Sequence, residues 1–300
     1  MKIALVADIH HGPHSHTKKE GWDALPELDA FIAKIEEAGV DMLVDLGDRI
    51  SDTNRGTDLK VEAEVRDRLA QFKGPRYHVI GNHDVGNLTP ADNREIFGAN
   101  IGQQVVDLGF ARLILWQADT KAEFSANYTG FRRIAGDLTW LIEALNADER
   151  PAIIATHVPL SGHSQIGNFY FENNYGVSTY PDHAEVRAAV EATGKAAIWL
   201  SGHVHWNTVT NVHNIQHITI QSFSERFTTY PEPATAYAIL DIKESEFTLE
   251  VFGRDPFFIR LPFRASGTQK WLPAIGPFGG DAGGQVAMQE GLSAYLSEDA

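Results

Sequence analysis

Tyr77-His78-Val79-Ile80-Gly81-Asn82-His83-Asp84 passes from a strand-like run into a glycine and then an amide, an imidazole and a carboxylate. Glycine allows a sharp backbone exit from a strand, which turns the polar side chains after it toward a shared centre. A fixed string such as Gly-Asn-His-Asp arises by chance in a chain of this length about once in a thousand sequences of average composition.

Four other blocks share this layout. Asp8-Ile9-His10 follows the apolar run 2–7, Gly47-Asp48 follows 41–46, His157 follows 152–156, and Gly202-His203-Val204-His205 follows 197–201. Taken singly, each block has a bland reading, because a buried His is usually a hydrogen-bonded core residue and an Asp after a strand usually caps a helix. Taken together and in order, they place ligand-type side chains beyond the carboxyl ends of successive strands, where α/β sheets collect their ligands.

Helical stripes fill the intervals. Leu25, Leu28, Ile32 and Ile35 recur at helical spacing before Gly39, and Val61, Val65, Leu69 and Phe72 do so before Gly74-Pro75. Asp137 is expected to cap a helix bearing Leu138, Leu141, Ile142 and Leu145, and Pro181-Asp182-His183-Ala184-Glu185 reads as a second capped start. Residues 105–108 and 113–116 read as a strand pair, and 215–221, 236–241 and 247–252 as later strands. The pattern predicts an α/β fold of mixed sheets covered by helices. Its catalytic domain is expected over residues 1–263. Residues 264–300 are expected to be a Gly-rich tail or cap, with a short helix over 286–296 and a candidate oligomer contact.

The chain has 300 residues, of which 43% are hydrophobic, enough for a core without covalent staples. It has no cysteine, which excludes disulfides, thiolate ligands and Cys nucleophiles and fits a reducing compartment. The apolar run 3–7 is too short for a signal-peptide core, and no apolar stretch reaches membrane-spanning length. A cytoplasmic protein with no membrane partner is expected. The net charge of −15 disfavours long nucleic acid. It is compatible with a small anionic substrate, because bound cations reverse the local field.

Asp8 and His10 stand two residues apart, so an extended backbone points both the same way. His203 and His205 repeat that spacing and can serve one metal each. Mixed N and O ligands without sulfur suit Mn, Fe or Zn. Two such ions roughly 3.5–4 Å apart form a clamp for in-line phosphoryl displacement. Asp48 has no ligand neighbour of its own and is expected to bridge them.

The pattern D-x-H, G-D, G-N-H-D, H and G-H-x-H, spread from Ile3 to His205, resembles the calcineurin-like metallophosphoesterase superfamily. The resemblance implies a four-layer α/β/β/α sandwich with two mixed sheets, and two divalent or trivalent ions (Mn, Fe or Zn) per chain. By motif position, Asp8, His10, Asp48 and His205 hold one ion, and Asp48, Asn82, His157 and His203 hold the other. His83 faces the phosphate and leaving group, and Asp84 orients it. The implied reaction is hydrolysis of small phosphate esters, diesters foremost, by metal-bound hydroxide with His83 assisting the leaving group.

Gly47-Asp48-Arg49-Ile50-Ser51 departs from the G-D-Y-V-D-R-G of the protein phosphatases, and Ser51 stands where purple acid phosphatases have tyrosine. The nearest resemblance is to bacterial class III cyclic-nucleotide phosphodiesterases and glycerophosphodiesterases. Alternatives on the same ligands are a phosphomonoesterase or a nucleotide pyrophosphatase. An alternative of another class is a non-catalytic metal-binding scaffold, which the complete ligand set disfavours. Arg49 is a candidate phosphate contact, with a structural salt bridge as its equal alternative. His163 and Tyr170 are candidate substrate contacts in the long loop 158–180, whose aromatics either stack on a base or aryl group or pack as a lid or subunit contact. His11, His14, His16, Lys18 and Lys19 read as a polar loop or a basic flap at the site mouth.

Overall fold

Side chains of the first strand divide by parity, as a pleated strand buried on both faces requires. Ile3 and Leu5 enter one apolar cluster, whereas Ala4 and Val6 enter another. The same division recurs in the strand at Arg112–Leu115, where Leu113 and Leu115 join Ile3 and Leu5 while Ile114 faces away.

The computed structural model describes residues 1–13 and 24–269. In chain order its strands are β1 (Lys2–Val6), β2 (Met42–Asp45), β3 (Arg76–His78), β4 (Gln104–Asp107), β5 (Arg112–Leu115), β6 (Ala122–Phe124), β7 (Thr129–Phe131), β8 (Ala152–Ala155), β9 (Ala196–Ser201), β10 (Thr208–Val212), β11 (Ile215–Thr219), β12 (Tyr237–Ile242), β13 (Glu246–Phe252) and β14 (Phe257–Pro262). The α-helices are α1 (Ala24–Glu37), α2 (Arg55–Leu69), α3 (Pro90–Phe97), α4 (Leu138–Asn146) and α5 (His183–Thr193).

Two six-stranded sheets result, in the orders β14-β13-β12-β1-β2-β3 and β10-β11-β9-β8-β5-β4. Both are mixed. β1, β2 and β3 run parallel, as do β5, β8, β9 and β11, while β12–β14 and the outer strands β4 and β10 pair antiparallel. The inner faces meet through Ile3, Leu5, Val44, Leu113, Ile153 and Ile198. α1 and α2 cover the outside of the first sheet through Leu28, Phe31, Ile32 and Val65. α4 and α5 cover the second through Leu141, Leu145, Val186 and Val190. This is the four-layer α/β/β/α sandwich.

Some expected details differ. Asp137 and Asp182 precede helices but make no capping bond, because their backbones are not in the extended conformation that a side-chain cap needs. Asp182 Oδ2 instead accepts from Ile134 N at 2.9 Å and Ala135 N at 2.8 Å, tying the approach to α4 onto α5. α3 was hidden by its polar composition; Thr89 and Asp92 form its capping box, with Pro90 at its start. Packing continues past residue 263: Phe263 and Ala265 are buried, and Gly267 N donates to Gly194 O at 2.9 Å. The Gly-rich stretch, the helix expected over 286–296, and His14, His16, Lys18 and Lys19 lie outside the described residues. Among the described residues, no helix is long and apolar enough to cross a membrane.

Leu113 sits fully buried between the sheets, and Phe258 on β14 is 60% exposed. Urea unfolding should show Leu113→Ala losing about 2–5 kcal/mol. Phe258→Ala should stay within about 0.5 kcal/mol of the parent.

Candidate metal centre

Parallel strands in both sheets end at one rim, and the loops leaving them carry the polar residues. β1 delivers Asp8 and His10, β2 delivers Asp48, β3 delivers Asn82 and His83, β8 delivers His157, and β9 delivers His203 and His205. Asp8, His10, Asp48, His203 and His205 all adopt left-handed backbone, with φ of 54°, 51°, 56°, 71° and 58°. Each such residue costs about 1–3 kcal/mol and persists only where its surroundings over-determine it. Here the loops brace each other: Asp8 N donates to Gly47 O at 2.9 Å, His10 N to Asp48 O at 3.0 Å, and His11 N to Arg49 O at 2.8 Å.

The glycines serve closeness more than conformation. Gly47 has φ 96°, but Gly81 and Gly202 lie outside the left-handed region. A Cβ on Gly81 would collide with the Asp48 carboxylate and amide, and one on Gly202 would sit 2.5 Å from Asp8 Oδ2 and 2.9 Å from Ala7 Cβ.

Two groups of ligand atoms form at the rim. Asp8, His10, Asp48 and His205 make one, and Asp48, His157 and His203 make the other, each with its ligand atoms within 4.8 Å of one another. Asp48 belongs to both. Its Oδ2 lies 3.2 Å from His157 Nε2 and 4.0 Å from His10 Nε2. Asn82 Oδ1 approaches His157 Nε2 at 3.1 Å, and His205 Nε2 lies 3.2 Å from Asp8 Oδ1.

The donor set fits cations. His157 Nδ1 donates to Leu46 O at 2.8 Å, which leaves a bare lone pair on Nε2 facing Asp48 and Asn82. His203 Nε2 donates to Val177 O at 2.7 Å, which leaves Nδ1 buried without a partner. Asp48 Oδ2 is likewise buried and unsatisfied. Buried lone pairs converging without a proton between them need a positive charge.

Without a cation, protons supply that charge. Burial disfavours charge on Asp48, yet His157 and His83 beside it hold its carboxyl well below the usual range. Burial opposes a proton on His157, but Asp48 outweighs it and pushes the imidazole up to about 9. His205 is pushed up to about 9 in the same way, by Asp8 against burial. His203 is pulled down to about 3 by burial and by His157.

His83 stands at the edge of this cluster, with its side chain 29% exposed and Nε2 4.0 Å from Asp48 Oδ2. Its Nδ1 bonds the Asp52 carboxylate, not Asp84. The expectation that Asp84 orients the His83 ring is therefore corrected. Asp84 is fully buried and accepts from Gly81 N at 2.8 Å, Asp48 N at 3.0 Å and Arg49 N at 2.8 Å, so it holds the loops and leaves the ring to Asp52.

For Arg49 the salt-bridge alternative holds and the phosphate contact is corrected. It is fully buried and bonds Asp45, Glu62 and Asn93, with Asp84 Oδ2 at 3.0 Å. Burial pushes the Glu62 carboxyl up to about 8 despite Arg49 beside it. A guanidinium committed to this network does not reach substrate. His163 is exposed and does not line the cavity at the centre, whereas Tyr170 does.

That cavity encloses about 510 Å³, lined by Asp48, Asn82, His83, His203 and His205 on its metal side. Asp52, Lys121, Phe124 and Glu225 line it as well, and none of them stood out in the sequence; Phe227, part of a weaker aromatic patch with Phe223 and Tyr230 in the sequence, lines it too. Asp52 lies four residues past Asp48, so the second motif block simply runs further than its Gly-Asp pair. Glu225, buried and 3.6 Å from His205 Nδ1, carries no local signal.

The sequence model for calcineurin-like phosphoesterases matches residues 1–207. The chain belongs to that family. The family model therefore ends just beyond His205, so it covers every ligand block. No curated protein matches the chain. Among solved structures, a dimetal phosphatase from Danio rerio is similar at 16% identity and a TM-score of 0.69, over 88% of this chain and 99% of that one. A purple acid phosphatase from yellow lupin seeds is similar at 15% identity and a TM-score of 0.56, over 86% and 53%. GAP50, the anchor in the inner membrane complex of Plasmodium, is similar at 13% identity and a TM-score of 0.56, over 98% and 94%. At these identities the likeness shows the fold.

Two outcomes follow from the geometry. His157 and His205 carry raised values in the folded, metal-free chain, so their contribution is complete below about 6.5 and is lost as pH rises toward about 9. Chelated protein should lose Tm across that window, and manganese-loaded protein should not; thermal scans at stepped pH check this. Arg49→Met should lower stability in urea by about 3–5 kcal/mol through the uncompensated carboxylates it leaves behind.

Proposed function

We propose that this family member hydrolyses small phosphate esters at a two-ion centre, with phosphodiesters as its preferred class. One observation carries the reading: two ligand groups share the buried Asp48 carboxylate, with the partly exposed His83 beside them. Asp8, His10, Asp48 and His205 hold one ion, and Asp48, Asn82, His157 and His203 the other; Mn, Fe and Zn suit these donors. When bound, the ions supply Lewis-acid charge for phosphoryl oxygens and a nucleophile from water near neutral pH.

The chain's own residues do the rest. Asp48, which belongs to both ligand groups, would be shared between the two ions. His83 presents Nε2 to the cavity while Asp52 holds Nδ1, an arrangement that steadies the ring and lets it donate a proton to a departing alkoxide. Among the described residues, Lys121 is the one Lys or Arg lining the cavity. Apart from the two ions, that is a modest cationic load, which suits a singly charged diester better than a doubly charged monoester or a pyrophosphate. The retained His83 and full ligand set speak against a non-catalytic scaffold. Kinship with the bacterial cyclic-nucleotide and glycerol phosphodiesterases, and a cytoplasmic setting for a chain without cysteine, belong to the same reading.

Bis(p-nitrophenyl) phosphate and p-nitrophenyl phosphate, assayed with added Mn, Zn or Fe, test the class. Metal-dependent turnover with the diester ahead is expected; metal-independent turnover, or none with any of these metals, overturns it. Elemental analysis of variants assigns the roles. Asp48→Ala should lose bound metal. His83→Ala should keep it while kcat falls by about a hundredfold to ten-thousandfold.

A further inference from the structure

The cavity is larger than a phosphate and has an aromatic side. Phe171 packs against His203 and His205, with ring centroids 5.2 Å and 5.8 Å away, and Phe227 lies 5.4 Å from His205. Further out, Phe124 is 75% exposed and Tyr170 is 42% exposed, and both line the same cavity. Phe124 sits on the β6–β7 hairpin. That hairpin is not a loose flap: Gly130 in β7 packs directly on the backbone of Gly176, beside Val177, whose carbonyl anchors His203. A large apolar side chain held open to water at the rim of a reactive site on a fixed hairpin is available to a ligand.

We infer that the site takes phosphate esters carrying a flat aromatic group, which Phe124, Tyr170 and Phe227 hold while the phosphoryl group meets the metal centre. The inference rests on the phosphoesterase reading and narrows its substrate class. The charges agree with it. Asp52 and Glu225 also line the cavity, with Lys121 the one Lys or Arg beside them among the described residues, so an organic part without further negative charge suits the lining better than a polyphosphate. A planar ring gains from edge or face contact with Phe and Tyr, whereas a short alkyl group does not.

The test uses manganese-loaded protein and phosphonates, which lack the scissile ester bond. In calorimetry, phenylphosphonate should bind about tenfold tighter than methylphosphonate, within the range that stacking on an aromatic side chain gives. Phe124→Ala and Tyr170→Ala, both at exposed positions, should each cut that ratio to about threefold. Tyr170→Phe should keep it, and methylphosphonate should bind every variant alike. Adenosine 5′-monophosphate against ribose 5-phosphate, as competitive inhibitors of diester hydrolysis, tells a nucleobase from a simple aryl ring; a preference in either pair supports the inference. Equal binding within both pairs, or a phenyl preference untouched by both alanine variants, overturns it. Turnover separates the two readings. Hydrolysis without aromatic preference removes only this inference, whereas aromatic preference without any hydrolysis removes the catalytic reading.

Discussion

Asp48 shares one buried carboxylate between two groups of ligands, and the surrounding architecture is arranged to make that position tolerable. Its backbone is left-handed, its amide is held by Asp84, its Oδ1 accepts from His83 N at 2.8 Å, and its Oδ2 is left bare. Gly47 and Gly81 let neighbouring loops come close: a methyl added at Gly81 would displace the carboxylate, and one at Gly47 would strike the Gly81 backbone and the His157 ring. A carboxylate so constrained has little freedom to find another partner. That is what pre-organises it for cations.

Burying Asp45, Asp48 and Asp84 close together, with the Glu62 carboxyl beside them, concentrates negative charge in a medium that screens it poorly. Arg49 answers this directly beneath the centre. Its planar guanidinium serves several acceptors at once, a geometry that lysine cannot match. The ring of Phe97 lies over it, 4.6 Å from the guanidinium carbon, and keeps water out. Of the two readings the sequence left open for Arg49, the structural salt bridge is the one the fold adopts.

On the far side, His203 and His205 stand against Phe131, Phe171 and Phe227, with Glu225 as the charged neighbour of His205. An apolar shell of this kind lowers the local dielectric and limits solvent access to ligands. It also sets the shape of the cavity, so under the proposed reading the rings that pack on the candidate ligand histidines are also the ones that face the organic part of a substrate. The sequence placed Tyr170 in this group but offered nothing to choose between His163, which ends up away from the cavity, and Phe171, which packs on two ligand histidines.

The alternating apolar runs and the short polar blocks after them determined the layered α/β architecture and the ligand blocks, because strand periodicity and strand-end glycines are local properties of the chain. Asp8, His10, Asp48, His157, His203 and His205 were legible for that reason. What lies across the fold was not. Asp52 at His83, Glu225 beside His205, the turn of Arg49 into the interior, and the meeting of Phe124 with Tyr170 around one cavity each join segments whose proximity is set by sheet order and loop course. Those contacts depend on how two sheets pack and which strand ends come to share a rim, and no local pattern of residues encodes that.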